Sequence, residues 1–257
     1  MTRVISVISG KGGVGKTTTA ANLGAALTEF GKDVVVLDAN LTAPNLSFHL
    51  GIPLYPVTLH DVLKKKANIN DAIYNHHSGI KVIPASLSVK ALRGLDTDKL
   101  HDIVDDLQNE FIIVDAAAGL GKEAQAAIGI ADDVIVVTAP EMPAVTDALK
   151  TIKIAEQSEI NVLGAVINRV KGARHELSSA DIKSILEVPI LSIIPEDPKV
   201  PQSIAMKMPV VHFSPKSVAA RKFKKLAADI IGKRYIEPKQ KSPFEHIFEQ
   251  MFGWLVR

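Results

Sequence analysis

The chain is predicted to fold as an α/β domain, a doubly wound, mostly parallel sheet of about seven to eight strands with helices on both faces. Three observations predict it. Short apolar runs alternate with helical stretches along nearly the whole of the 257 residues. Many of those runs are almost wholly apolar rather than alternating, as expected of strands covered on both sides. The first of them, RVISVIS at 3–9, breaks into a glycine-rich loop and then an alanine-rich helix.

That loop carries the densest chemistry. Gly10, four residues, then Gly15-Lys16-Thr17 matches GxxxxGK(S/T), in which glycines let successive backbone N–H groups turn inward around phosphate oxygens. Gly10, Lys11, Gly12, Gly13, Val14, Gly15, Lys16, Thr17 and Thr18 are therefore candidate phosphate-binding residues. In such a loop Lys16 reaches the β- and γ-phosphates and the Thr17 hydroxyl holds Mg²⁺. The helix predicted over 19–30 (TAANLGAALTEF) would set its N-terminus against the anion.

Further strands are predicted over 33–38, 80–84, 111–115, 133–138, 161–168 and 189–194, with an eighth over 210–213. Between them helices are predicted over 59–66, 98–109, 123–130, 144–158, 179–186, 199–207 and 216–231. There is no internal repeat. Composition shifts at 232–242, GKRYIEPKQKS, a basic, proline-containing linker. Beyond it, Phe244, Ile247, Phe248, Met251, Trp254 and Leu255 recur at helical spacing with Phe252 beside them, opposite Glu245, His246, Glu249 and Gln250. Ser242-Pro243 supplies a helix start. The expected organisation is a domain over 1–232, a linker over 233–242 and an amphipathic helix over 243–257. That helix reads as an interfacial membrane anchor; the alternative is a helix docked on its own body or at an oligomer interface.

Bulk composition narrows the classes. At 47% hydrophobic and 23% charged residues the chain can bury a large core, and a formal charge of +2 is too small to argue for nucleic acid as the main partner. The sequence holds no cysteine, which removes disulfides, iron–sulfur clusters and cysteine-ligated zinc. No secretory signal pattern opens the sequence, and it contains no run of about 18 apolar residues. The basic run Arg221-Lys222-Phe223-Lys224-Lys225 reads as a solvated helix face with Phe223 and Leu226 buried, rather than a DNA-contacting patch. The histidines lack metal-ligand spacing.

In open α/β sheets ligands sit beyond the carboxyl ends of strands, which singles out Asp38 after VVVL and Asp115 after FIIV. Lys11, directly after the first glycine, is not required by an ordinary phosphate loop. With it, Lys11-Gly12-Gly13-Val14-Gly15-Lys16-Thr17 forms KGGxGK(S/T), and the chain resembles the MinD/ParA family of deviant Walker A ATPases, on its MinD-like side. The resemblance covers essentially the whole chain and implies ATP and Mg²⁺ as cofactors. It also implies a homodimer sandwiching ATP, with Lys11 reaching the partner's phosphates.

By the same resemblance Asp115 is a Walker B-like aspartate acting on Mg²⁺ through water, and Gly119 offers its N–H to the γ-phosphate. Ala117 stands where the family's DxPAG segment has proline. Asp38 opens the equivalent of the family's DxD switch as a further Mg²⁺ ligand, and Asn40 replaces the second aspartate, which positions or activates the attacking water. An amide can orient water but cannot accept its proton, so binding and dimerisation with slow hydrolysis are expected; the alternative is that asparagine is tolerated and hydrolysis proceeds normally, since phosphoryl transfer relies mainly on positioning and electrostatics. Asn168-Arg169 match the family's adenine-binding pair, and Pro195-Glu196-Asp197-Pro198 the loop flanking the base.

A MinD-like protein would sit in the cytoplasm and peripherally on the inner face of the cell membrane, contacting an anionic surface through the terminal helix. One such tail binds reversibly; two in a dimer gain avidity of ~10²–10⁴. It would answer to a regulatory protein and position cell-division or other machinery. The alternatives are a ParA-type DNA-partitioning ATPase, an ATP-gated scaffold with little hydrolysis, and a small-molecule amidoligase of the same fold. Iron–sulfur relatives need cysteines.

Overall fold

A computed structural model describes residues 2–51 and 55–236. The expected membrane helix over 243–257 and most of its linker lie outside the described residues. The strands are β1 (Arg3–Ser9), β2 (Val34–Asp38), β3 (Tyr74–Asn75), β4 (Lys81–Ile83), β5 (Phe111–Ala118), β6 (Asp133–Thr138), β7 (Asn161–Val170) and β8 (Ile190–Pro195). They form one sheet in the order β3-β4-β2-β5-β1-β6-β7-β8. Every pairing is parallel except the short β3–β4 edge. This is the doubly wound α/β fold the sequence predicts.

Helices α1 (Lys16–Glu29), α2 (Leu46–Leu50), α3 (Leu59–Leu63), α4 (Leu100–Asp105), α5 (Lys122–Gly129), α6 (Met142–Gln157), α7 (Ser179–Leu186), α8 (Lys199–Ala205), α9 (Val210–Phe213) and α10 (Val218–Ile230) cover the sheet. Because side chains alternate across a strand, each strand feeds two cores. Val35 and Leu37 of β2 pack with Ile112 and Val114 beneath α3–α7. Val34 and Val36 pack with Ile113, Leu23, Leu27 and Phe223 beneath α1 and α10. Arg3 ties the start of β1 to β6 and to the end of α10, pairing with Asp133 at 2.7 Å and donating to the Ile230 carbonyl at 3.2 Å.

One predicted strand is wrong. Residues 210–213 form helix α9, in which Val210 and Val211 are both fully buried. A strand on a sheet edge cannot bury two successive side chains on one side, whereas a helical turn against α1 and α10 can. Its Val211 N–H is received by Asn22 on α1 at 3.2 Å. The basic run on α10 is also not uniformly solvated: Arg221 is buried, while Lys224 pairs with Glu29 at 2.7 Å and Lys225 with Asp229 at 2.8 Å. α1 begins at Lys16, three residues earlier than predicted, and β5 runs on past Asp115 to Ala118.

Candidate functional site

The strand order reverses around β1, and the loop after β1 opens at the carboxyl edge of the sheet, where such folds bind ligands. Gly10 passes so close to α6 that a Cβ would lie 2.2 Å from the Asp147 carbonyl oxygen. Gly13 and Gly15 have φ of 81° and 95°, a left-handed backbone that glycine adopts without strain. Gly15 is the N-cap of α1, with no side-chain cap and no acidic residue in the first turn. The first N–H groups of a 14-residue helix are thus left for an anion. Val14 is buried beneath the loop, Gly12 is exposed, and Thr17 and Thr18 follow in the first turn of α1.

Lys16 reaches back under the loop and donates to Asp115 Oδ1 at 2.6 Å, with both side chains buried. Asp38 sits beside Asp115 in register on the neighbouring strand. Its two oxygens accept the backbone N–H groups of Asn40 and Leu46, each at 3.1 Å. Complete burial, with the Asp115 charge alongside, pushes the Asp38 carboxyl up from 3.8 to about 8. Of these two adjacent buried carboxyls only Asp115 pairs with Lys16, and Asp115 Oδ2 has no hydrogen-bond partner. That unpartnered hard oxygen fits Mg²⁺. Among the described residues no cluster of three acidic, histidine or cysteine side chains could hold a metal alone. A cation here would need phosphate oxygens or water to complete its shell.

Beside the loop lies a cleft of about 690 Å³, lined by Gly13, Gly15 and Thr18 on one side and by Asn168, Arg169 and the 195–198 loop on the other. Its size suits a nucleoside. Asn168 and Arg169 turn toward the loop itself: Asn168 Nδ2 donates to the Val14 carbonyl at 2.8 Å and Arg169 to the Gly13 carbonyl at 3.0 Å. The Asn168 amide nitrogen is thus engaged by the loop rather than offered to a base, which leaves its oxygen. Pro195 ends β8 at the cleft wall. Asp197 accepts the N–H groups of Lys199 at 2.9 Å and Ala219 at 3.1 Å, fixing the starts of α8 and α10.

Two candidates are arranged otherwise than expected. The Gly119 N–H is received by the Ser9 carbonyl at 2.9 Å, because the small residues Ala116–Ala118 let β5 continue along β1 rather than open into a loop. Asn40 donates its side-chain amide to the Ala43 carbonyl at 2.5 Å, so it staples its own loop. Lys11 is exposed and has no ion-pair or hydrogen-bond partner among the described residues. Sequence reasoning missed His49 on α2, whose basicity burial lowers while Asp115 and Lys16 act on it oppositely, and Glu123 on α5, which grips Thr42. Neither stands in a motif. Phe223 and Ile204, which line the cleft, were legible only as apolar helix positions.

Residues 5–210 match the CobQ/CobB/MinD/ParA nucleotide binding domain. An uncharacterised ATP-binding protein of Methanocaldococcus jannaschii is 42% identical, the match covering 98% of each chain. The septum site-determining protein MinD of Pyrococcus horikoshii, solved in complex with Mg-ADP, superposes with a TM-score of 0.86 at 35% identity over 90% of this chain and 96% of that one. The MinC:MinD cell division complex of Aquifex aeolicus contains a chain matching at TM-score 0.81 and 31% identity, over 93% of this chain and 98% of that one. The chain therefore belongs to the MinD/ParA family of nucleotide-binding proteins, and among its members it is similar to MinD.

Proposed function

We propose that the protein is a slow ATPase that dimerises around Mg·ATP and uses that state to associate reversibly with a membrane and position other machinery. The observation that carries the reading is the uncapped glycine-rich start of α1 over the buried Lys16, Asp115 and Asp38, opening on a nucleoside-sized cleft. Lys16 would exchange Asp115 for phosphate oxygens. Thr17, Asp38 and Asp115 would hold Mg²⁺ together with those oxygens, and the metal would offset charge developing on the transferred phosphoryl group. The cleft wall of Asn168, Arg169 and Pro195 would take the nucleoside, with Asp197 bracing the wall from behind.

Lys11, exposed in the loop, would reach phosphates bound by a second copy. The domain boundary at 232, the linker and the 243–257 anchor belong to this proposal, as does a regulatory protein partner; the Aquifex MinD is named as a complex with MinC. Attachment would be peripheral, through the 243–257 helix; among the described residues no helix is long and apolar enough to cross a membrane. A second reading, an ATP-gated scaffold with little turnover, draws on Asn40, whose amide is spent on Ala43.

Sedimentation with anionic liposomes tests the switch. Full-length protein should pellet with Mg·ATP and stay in solution with Mg·ADP, and deletion of 243–257 should abolish pelleting. Pelleting that survives the deletion would sink the proposal.

A further inference from the structure

Besides the Ala39 N–H, which the Asp115 carbonyl receives at 3.0 Å, the loop joining β2 to α2 is braced at three points. Asp38 accepts N–H groups from both of its ends, Asn40 and Leu46. The Ala43 carbonyl accepts the side-chain amides of Asn40 and Asn45, at 2.5 and 2.9 Å. The third brace comes from another element. Glu123, in the first turn of α5, accepts the Thr42 N–H through Oε2 at 3.1 Å and the Thr42 hydroxyl through Oε1. Hydrogen bonds to an ionised acceptor are the strong ones, and two on one residue fix orientation as well as distance.

α5 starts at Lys122, shortly after β5 ends at Ala118, and β5 carries Asp115. The loop holding Asn40 is therefore fastened to the segment that leaves Asp115. Nothing in the proposed chemistry requires Glu123, and it forms no ion pair among the described residues. A side chain that merely solvated α5 would not need to take both donors of one residue on another loop.

We infer that Glu123 is a positioning residue that joins the two strand-end loops into one unit, so that the placement of Asn40 follows the segment running from Asp115 into α5. The functional consequence rests on the proposed ATP chemistry; the coupling itself does not. A change near Asp115 or Gly119 moves the start of α5, and through Thr42 it moves the Asn40 loop.

Hydrogen exchange of the full chain without nucleotide tests the coupling, and steady-state ATP turnover tests its consequence. Glu123→Ala removes both acceptor oxygens, Thr42→Val removes the hydroxyl at nearly constant volume, and Thr42→Ser keeps it. Exchange over 39–46 should rise about tenfold in Glu123→Ala and several-fold in Thr42→Val, and stay at the wild-type level in Thr42→Ser. In the same order kcat should fall, fall and hold, with KM unchanged. Unaltered exchange in Glu123→Ala, equal loss in the Ser and Val variants, or an undiminished kcat in Glu123→Ala overturns the inference. Should wild-type protein turn over no ATP while exchange follows the stated pattern, the coupling stands and the functional reading fails.

Discussion

Replacing Asp38 by asparagine should make the nucleotide-free protein more stable while weakening its use of Mg²⁺. Asp38 is fully buried beside Asp115, and its carboxyl is pushed up from 3.8 to about 8 by burial and by that neighbouring charge. At about 1.4 kcal/mol per pH unit, the displacement sets a ceiling of ~6 kcal/mol on the cost of ionising it in the folded state. Asparagine carries no charge but can accept only one of the two N–H groups, from Asn40 and Leu46, that the carboxylate accepts now. Losing that bond costs ~1–3 kcal/mol, and relaxation of the site lowers the ceiling, which leaves a net gain of ~2–4 kcal/mol.

A carboxyl whose folded value lies above its unfolded value binds its proton more tightly when folded. Its contribution to stability is fully present below pH 3.8 and is lost as pH rises through about 8. The advantage of Asp38→Asn should therefore widen from pH 6 to pH 9, reaching roughly 5–15 °C in Tm for a chain of this size. Thermal unfolding in EDTA at those two pH values is the assay. A variant no more stable than wild type at pH 9, or a gap that stays constant, would refute the electrostatic reasoning.

Other consequences follow from the same geometry. Lys16→Ala leaves the buried Asp115 carboxylate without the cation that pairs with it at 2.6 Å; it should cost ~3–5 kcal/mol in denaturant unfolding and remove Mg·ATP binding by calorimetry, and normal stability would contradict the packing described. Gly15→Ala places a Cβ 2.0 Å from Asn168 Nδ2 at φ 95°, so it should displace Asn168 from Val14 and weaken nucleotide binding at least tenfold, whereas a neutral result would deny that contact. Glu29 is raised by burial, but hydrogen bonds from His212 and Lys224 outweigh this and hold it below 4.5. Its contribution is thus present above that value and lost as the pH falls below it. Glu29→Gln should flatten the acid limb of the stability curve below pH 4.5, and an unchanged limb would discount the cluster.

The fold was legible because its signals are local. An apolar run such as 133–138 needs no knowledge of its neighbours to be a strand, and it is β6 as predicted. The phosphate loop is likewise local, since glycine is required where the backbone turns left-handed at Gly13 and Gly15. What escaped is set by distant partners. Val210-Val211 looks like a strand until the buried faces of α1 and α10 dictate a helical turn. Asn168 sits 154 residues from the Val14 carbonyl it holds, and Thr42 81 residues from Glu123, so no spacing announces either bond. Asn40 shows the boundary between the two kinds of signal. Its identity hinted at slow hydrolysis, but its amide bond to Ala43 means that Asn40→Asp would turn a carboxylate toward a carbonyl oxygen and unfasten the loop.

In the proposed function ATP completes a site shared between two copies, with Lys11 supplied by the opposite chain. Light-scattering mass after size exclusion tests it most directly, in Mg·ATP and in Mg·ADP, for wild type and Lys11→Ala. Wild type should double in mass only with ATP, and Lys11→Ala should bind ATP yet remain a single chain. A wild-type mass unchanged by saturating ATP, or a Lys11→Ala protein that doubles as readily, would contradict it.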